Sequence, residues 1–513
     1  VRSTRTLAVG PERGSRLRPR TAGSPAPIRG TVISGPGTSL GEPTSTPHPL
    51  RSRRPIVLVL LGGLFAREAF SFWTGHPFDF ESWVRTGYVV SHGGNPYSAF
   101  WPPVAGVSFA YLNQNLTSAS YLPFWPVILA ELYRLWVLVG GGNRFVLYFL
   151  LKQPGIVADV VTAYLLYRLA ARWTGEPQRA LMLAAFWSFF PYAIVITAIW
   201  GQFDSIVVVI LLALLYAHGP LERNLINGLG IFVKWVTVVF LPLEVFRERG
   251  TRRLLFVVGL AIPAFLTVVV FLVEGWSFQG IGTQGIGSVS LSQSHGGGEG
   301  MNYAYALTLP SVSAFLTHIP LFYSIAPYVW VPGVIGAGWA AAKWLGGNDP
   351  RSELRAMLLV VTVFLLLRWG LYEQYFLYLF SLLALDVAVF NPGRRSMLAF
   401  TYGLATIDLL LNNDLGLRFL SPLNAGISTY TTQLDASDPY GAFRTYALLA
   451  LALAMTVTLV QLLRVFWRDA ARPRAWFYGL IDRGREVLAR RAGAETPSIY
   501  PAPPRPPETA SRD

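Results

Sequence analysis

The sequence predicts an all-α, polytopic integral membrane protein. Three observations carry that expectation: repeated long apolar runs, a low charge content, and abundant aromatics of the interfacial kind. Charged residues make up 14% of the 513-residue chain and hydrophobic residues 52%, against about 25% charged in an average soluble domain. The mean hydropathy is +0.42. Roughly 20 consecutive apolar residues already cross a bilayer, so runs repeated along the chain cannot all be soluble core helices, and about 10–13 transmembrane helices are expected. The 16 Trp and 23 Tyr suit rings placed at both bilayer interfaces.

The net charge of +14 is topological in its placement. Only Lys152, Lys234 and Lys343 are lysines, so 42 − 3 = 39 basic residues are Arg. They cluster between apolar runs and in the two tails, the pattern of the positive-inside rule, and no nucleic-acid partner is expected. With no Cys, disulfides, thiolate metal sites and Cys nucleophiles are excluded.

Residues 1–54 are rich in Pro, Gly, Ser, Thr and Arg without apolar periodicity and read as a disordered, basic cytoplasmic tail. The membrane domain covers 55–467. Its first span, Ile56 to Trp73, follows Arg51-Ser52-Arg53-Arg54, which places that end inside. A large first exoplasmic loop, about 74–144, comes next. Within it Trp101 to Val139 holds Pro102, Pro103, Pro123 and Pro126, and reads as surface helices or a short re-entrant hairpin. Phe145 to Ala170 runs inward to Arg168, Arg172 and Arg179. Ala180 to Trp200 returns outward and Phe203 to Ala217 goes back in. Asn224 to Phe246 has basic residues on both sides and Lys234 in mid-run, so a broken or re-entrant element is expected. Leu254 to Val273 runs outward to a Gly-rich stretch containing His295. Further spans are expected at Ser324–Trp344, Ala356–Trp369, Tyr375–Phe390, Ser396–Leu411 and Arg444–Phe466, with Asn412 to Tyr440 a polar outer loop. Residues 468–513 form a cytoplasmic tail in which Trp476, Phe477, Leu480, Ile481, Val487 and Leu488 share one face of an amphipathic helix.

Several residues stand out chemically. Asp79 and Glu81 would diverge by about 200° on a helix but share a face of an extended loop. There they read as paired carboxylates for acid–base work or as a solvated acidic turn. Arg85 follows them. Lys152 and Asp159 fall on one helical face, as a functional pair or a structural interhelical one. Lys234 has no acid near it in sequence and suits a phosphate, or a distant carboxylate such as Asp159 or Asp204. His295 reads as an exposed loop histidine. Six His without metal-ligand spacing give little case for a metal site. Arg368, Glu373 and Gln374 lie at the outer ends of two spans, as ligand contacts or interfacial anchors.

Taken in order, these residues resemble the integral-membrane GT-C glycosyltransferases that use polyprenyl-phosphate sugars, in particular family 87 and the GPI mannosyltransferase I group. The resemblance rests on the D-x-E pair (Asp79, Glu81) followed by Gly94 and Tyr97, on Lys152, Pro154 and Asp159, and on Trp200 to Ser205. It continues with Lys234, Leu241 and Pro242, and with Glu373 to Tyr375. It covers roughly Ile56 to Phe390. The Arg-rich loop such enzymes often carry is missing beyond His295.

The resemblance implies a multi-pass plasma-membrane hexosyltransferase, a mannosyltransferase by preference, with both termini cytoplasmic and its active site exoplasmic. It would move a hexose, with inversion, from a polyprenyl-phosphate donor to a glycan or lipid-linked acceptor. Asp79 would be the base. Glu81 would orient the acceptor or a divalent cation, whose requirement stays open. Lys152, Lys234 or Arg368 would stabilise the leaving phosphate. Arg85, Asp159, Gln202, Asp204, His295, Glu373 and Gln374 would line the substrate site. The rival readings are a secondary transporter, a lipid-linked-sugar flippase, or a polysaccharide polymerase or ligase.

Overall fold

A computed structural model of the chain describes residues 54–97, 103–107, 121–278, 281, 328–345, 349–368 and 372–469. The amino-terminal tail, His295 and the amphipathic face at Trp476 to Leu488 lie outside them. The described residues are helical, with no strand among them. In order they are α1 (Arg54–Ser71), α2 (Pro77–Ser91), α3 (Phe124–Leu138), α4 (Arg144–Thr174), α5 (Pro177–Ser188), α6 (Pro191–Ile194), α7 (Asp204–Leu214), α8 (Pro220–Val233), α9 (Leu241–Arg247) and α10 (Phe256–Glu274). After the Gly-rich stretch come α11 (Trp330–Trp344), α12 (Pro350–Leu367), α13 (Phe376–Val389), α14 (Arg395–Asn412), α15 (Ala425–Asp435) and α16 (Tyr440–Asp469).

Three helical stretches, Arg144–Thr174, Gly250–Glu274 and Tyr440–Arg468, are long and apolar enough to cross a membrane; α5 with the stretch Pro191–Trp200, bent by 43°, makes a fourth if counted as one broken span. The surface agrees with lipid as solvent. Phe65 on α1 and Val273 on α10 are each 77% exposed, and Leu58, Leu272 and Tyr446 are close behind. Water would penalise such a band of large apolar side chains; hydrocarbon does not. Apolar helices with this surface make the chain a membrane-embedded, all-α protein.

The centre of the bundle is α13. Every residue from Phe376 to Val387 is buried, as expected of a helix hydrophobic all round. Around it pack α4, α5, α7, α12 and α14. Close crossings use small residues, the usual device where lipid supplies no hydrophobic drive between helices. A Cβ on Gly228 of α8 would come within 3.0 Å of the Gly259 carbonyl of α10.

The segment after Arg223 is broken as its charges predict. α8 ends at Val233, Lys234 is extended, Trp235–Phe240 is a 3-10 turn, and α9 follows. Arg223, at the start of this segment, bonds Glu244 at 2.6 Å, and Arg247, at its end, bonds the same carboxylate at 3.4 Å. The start of the segment is therefore tied to α9 at Glu244.

Two expectations change. The outer loop Asn412 to Tyr440 is largely structured, with a 3-10 segment Asp414–Leu420 and α15. Arg418 draws it together by bonding both Asp414, at 2.8 Å, and Asp435. In the first loop the stretch at Asp79 and Glu81, expected to be extended, is the helix α2; α3, a helix within the Trp101 to Val139 stretch as expected, packs along it, with the Glu131–Arg134 pair on its exposed side.

Candidate active site

The stretch Gly75-His76-Pro77 starts α2. His76 is its extended N-cap and Pro77 its first residue, a position where proline's missing N–H costs nothing. Asp79 falls in the first turn, where a carboxylate also meets the positive end of the helix. The extended reading of this stretch is therefore corrected: on a helix Asp79 and Glu81 point apart. Glu81 faces inward, fully buried, and accepts from Arg85 Nε at 2.5 Å one turn on. Helical periodicity places this intrahelical pair away from the face Asp79 presents.

Asp79 faces the loop after α6. Trp200 Nε1 donates to Oδ2 at 2.6 Å and Gln202 Nε2 donates to the same oxygen at 2.9 Å. His76 Nδ1 lies 3.3 Å from it, an ion-pair contact when the ring is protonated. All three approach Oδ2, and the side chain stays 22% exposed. Burial pushes its pKa up, but the His76 contact and the Trp200 and Gln202 donors outweigh burial and hold the carboxyl below its usual value. An aromatic wall backs it: His76 stacks on Trp200 at 5.0 Å, and Phe419 meets the Trp200 ring at 5.6 Å.

The loop reaches Asp79 because a π-helical turn, Val195–Trp200, ends in Gly201 at φ +101°. Only glycine fits: a Cβ there would come within 2.2 Å of the Phe80 ring. Main-chain bonds fix the three segments, from His76 N–H to the Trp200 carbonyl at 3.1 Å and from Gly75 N–H to that of Phe419 at 2.9 Å.

Lys152 staples the base of this site. Its Nζ donates to the Thr74 carbonyl at 2.8 Å, the Thr74 hydroxyl at 3.0 Å and the Ala198 carbonyl at 2.6 Å. The expected Lys152–Asp159 pair is not formed. Asp159 accepts instead from Arg67 Nε at 2.8 Å and from Trp187, Thr197 and Ser205 at 2.9 Å each. With four donors in a buried pocket, it is a structural hub joining α1, α4, α5 and α7.

Lys234 is likewise paired. Its Nζ lies 2.8 Å from both oxygens of Asp204, to which the Tyr378 hydroxyl also donates. Phe203, Tyr375 and Tyr121 present ring faces to the ammonium at 5.0, 5.1 and 5.8 Å. The distant-carboxylate reading is the one this geometry realises, and the free-phosphate reading of Lys234 is corrected accordingly. The partner is thirty residues back in sequence and adjacent in space.

Glu373 and Gln374 are buried on the same side as Asp79, whose charge acts on Glu373 and Tyr372. Glu373 Oε1 accepts from Asn412 Nδ2 at 2.6 Å and its carbonyl from the Tyr192 hydroxyl at 2.8 Å. Burial pushes its carboxyl up to about 7, against the lowering effect of Asn412. The acceptor oxygens Gln202 Oε1, Glu373 Oε2 and Gln374 Oε1 are buried with no hydrogen-bond partner among the described residues. Arg368 lies over Trp235 at 4.9 Å and Trp330 at 5.6 Å.

The fold thus brings Asp79, Gln202, Glu373, Gln374 and Arg368 to one end of the bundle, and engages Glu81, Arg85, Lys152, Asp159, Asp204 and Lys234 within the protein. His76, Phe419, Tyr372 and Asn412 were missed by sequence reasoning; only His76, three residues before Asp79, carried a local signal. No group of three or more His, Asp or Glu side chains among the described residues is placed to hold a metal ion, and Glu81 is committed to Arg85. Compared with known proteins, the chain matches no family model and no curated protein.

Proposed function

We propose that this chain is an inverting glycosyltransferase of the plasma membrane. It moves a hexose, by preference mannose, from a polyprenyl-phosphate donor to a glycan or lipid-linked acceptor on the exoplasmic face. The observation that carries this reading is Asp79: an ionised carboxylate with one oxygen fixed by Trp200, Gln202 and His76, set in an aromatic wall at the ends of apolar helices. Fixing Oδ2 leaves Oδ1 to take a proton.

In the reaction the acceptor oxygen attacks the anomeric carbon and its proton passes to Asp79 Oδ1. The bond from the anomeric carbon to phosphate oxygen breaks, and its electron pair leaves with the lipid phosphate. Arg368, stacked against Trp235 and Trp330 at the same end of the bundle, is the cation for that developing charge. The packed rings of His76, Trp200 and Phe419 hold Asp79 in place from behind, and the partnerless oxygens of Gln202 and Gln374 lie beside it as acceptors for sugar hydroxyls.

The test is transfer of radiolabel from polyprenyl-phosphate mannose, and from the glucose and galactose analogues, by purified protein in nanodiscs with a lipid-linked glycan acceptor. Asp79-dependent transfer from one of these donors is expected. Movement of the intact donor across the bilayer without transfer would replace this reading with that of a flippase.

A further inference from the structure

Of the three stretches long and apolar enough to cross a membrane, Gly250–Glu274 is the most apolar and the least covered by the rest of the protein. Leu254, Val257, Leu260 and Phe265 stand exposed along it, the side that hydrocarbon covers. Its starting end carries Arg249, Arg252 and Arg253, all three exposed. Leu254 and Val257 begin the apolar surface directly after them, so the guanidinium groups stand where that surface ends. That is the level of lipid headgroups, which long basic side chains reach by extending along the apolar helix.

The acids of this corner are engaged elsewhere. Glu244 takes Arg223 at 2.6 Å and Arg247 at 3.4 Å, and Glu248 takes Arg223 at 3.2 Å. Glu353 of α12 takes Arg247 at 2.7 Å, and Glu222 of α8 accepts from the His218 main-chain N–H at 2.8 Å. Arg253 donates its Nε to the Glu248 carbonyl at 2.8 Å. Arg249 and Arg252 meet no hydrogen-bond or ion-pair partner among the described residues. Three guanidinium groups so close repel one another, and no carboxylate here relieves them. An anion held at the same level does.

We propose that Arg249, Arg252 and Arg253 form a binding site for anionic phospholipid at the starting end of α10. A phosphodiester suits them, because the planar guanidinium fork matches phosphate oxygens. The same molecule meets the apolar side chains below: its acyl chains cover Leu254 and Val257. A bound headgroup also steadies the broken segment. Arg253 holds the Glu248 carbonyl, Glu248 pairs with Arg223 near the start of α8, and α8 packs along α10 before the break at Lys234. This assignment is independent of sugar transfer.

The test uses the purified full chain in neutral detergent, titrated with dioctanoyl phosphatidylglycerol, dioctanoyl phosphatidylcholine or inorganic phosphate. Native mass spectrometry reads binding and thermal melting reads stability. Phosphatidylglycerol should bind and raise the melting temperature, while phosphatidylcholine and phosphate should do neither. Arg249→Gln and Arg252→Gln should each weaken phosphatidylglycerol about fivefold, the contribution of one basic residue near an anionic membrane surface. Arg395→Gln, which removes an exposed arginine at the start of α14, should leave the affinity unchanged. Equal weakening by Arg395→Gln would mean diffuse attraction to net charge and overturns the site, as does unchanged affinity in the first two variants. Phosphatidylcholine binding as well as phosphatidylglycerol overturns the charge recognition, and phosphate stabilising as well overturns the lipid. Should the variants fail to insert, the wild type decides alone. Its affinity for phosphatidylglycerol must fall as salt screens the arginines, and an affinity indifferent to salt refutes the proposal.

Discussion

At the scale of single residues, the charges of this protein divide by what surrounds them. Asp79 keeps exposure and an open oxygen; Glu81, two positions on, is enclosed with Arg85. Replacing Asp79 by Asn should leave insertion intact and reduce transfer by about 10²–10⁴-fold, the usual worth of a positioned base; a variant retaining a tenth of wild-type turnover would remove Asp79 from that role. Because its folded pKa lies below the usual 3.8, the stability Asp79 contributes is complete above that value and is lost as pH falls through the folded one. The same ionisation gives transfer no acid limb from Asp79 near neutral pH, and a pH–rate profile checks this. Lys234→Met strands the buried Asp204 carboxylate. It should cost about 3–5 kcal/mol, read as a lowered melting temperature in detergent. Unchanged melting would mean that Tyr378 alone satisfies Asp204.

At the scale of elements, most helices were legible because apolar runs and flanking arginines state them locally. The break at Lys234 was legible for the same reason: basic residues on both sides of one run contradict a single crossing. The start of α2 was not. Two acids two positions apart after a first apolar run resemble a loop, although Pro77 after an extended residue is a helix-starting signal. Nor were the partners of the buried charges, since Arg67 reaches Asp159 across 92 positions and Glu373 meets Asn412 across 39. Spacing reports neighbours on one helix, and these contacts join different ones. The π-helical turn before Gly201 was equally hidden, as glycine alone does not announce why it is needed. Gly201→Ala should lower the melting temperature, because it demands a left-handed alanine and drives Cβ into Phe80. The strain is about 1–3 kcal/mol. Its second effect should be a loss of transfer, since Phe80 and Asp79 share a helical turn.

At the scale of the molecule, Asp79 and the arginines at Arg249 and Arg394 are expected on opposite faces of the membrane. With no native cysteine, single cysteines at Phe78, Arg249 and Arg394 can be mapped in intact cells with an impermeant thiol reagent. Labelling at position 78 alone is expected; labelling at 249 from the same side would mean that the segment between Arg223 and Arg247 crosses rather than turns back.

The wall behind Asp79 also has a history in time. Its faces come from His76, Trp200 and Phe419, and 419 − 76 = 343 residues separate the first from the last. At about 5–20 residues per second a ribosome needs roughly 20–70 s to supply them. During that interval the early helices are already inserted while Gly75 waits for the carbonyl of Phe419. A nascent chain thus lacks the wall behind Asp79 until nearly all of it has left the ribosome, and products truncated before Asp414 would reach the membrane without it.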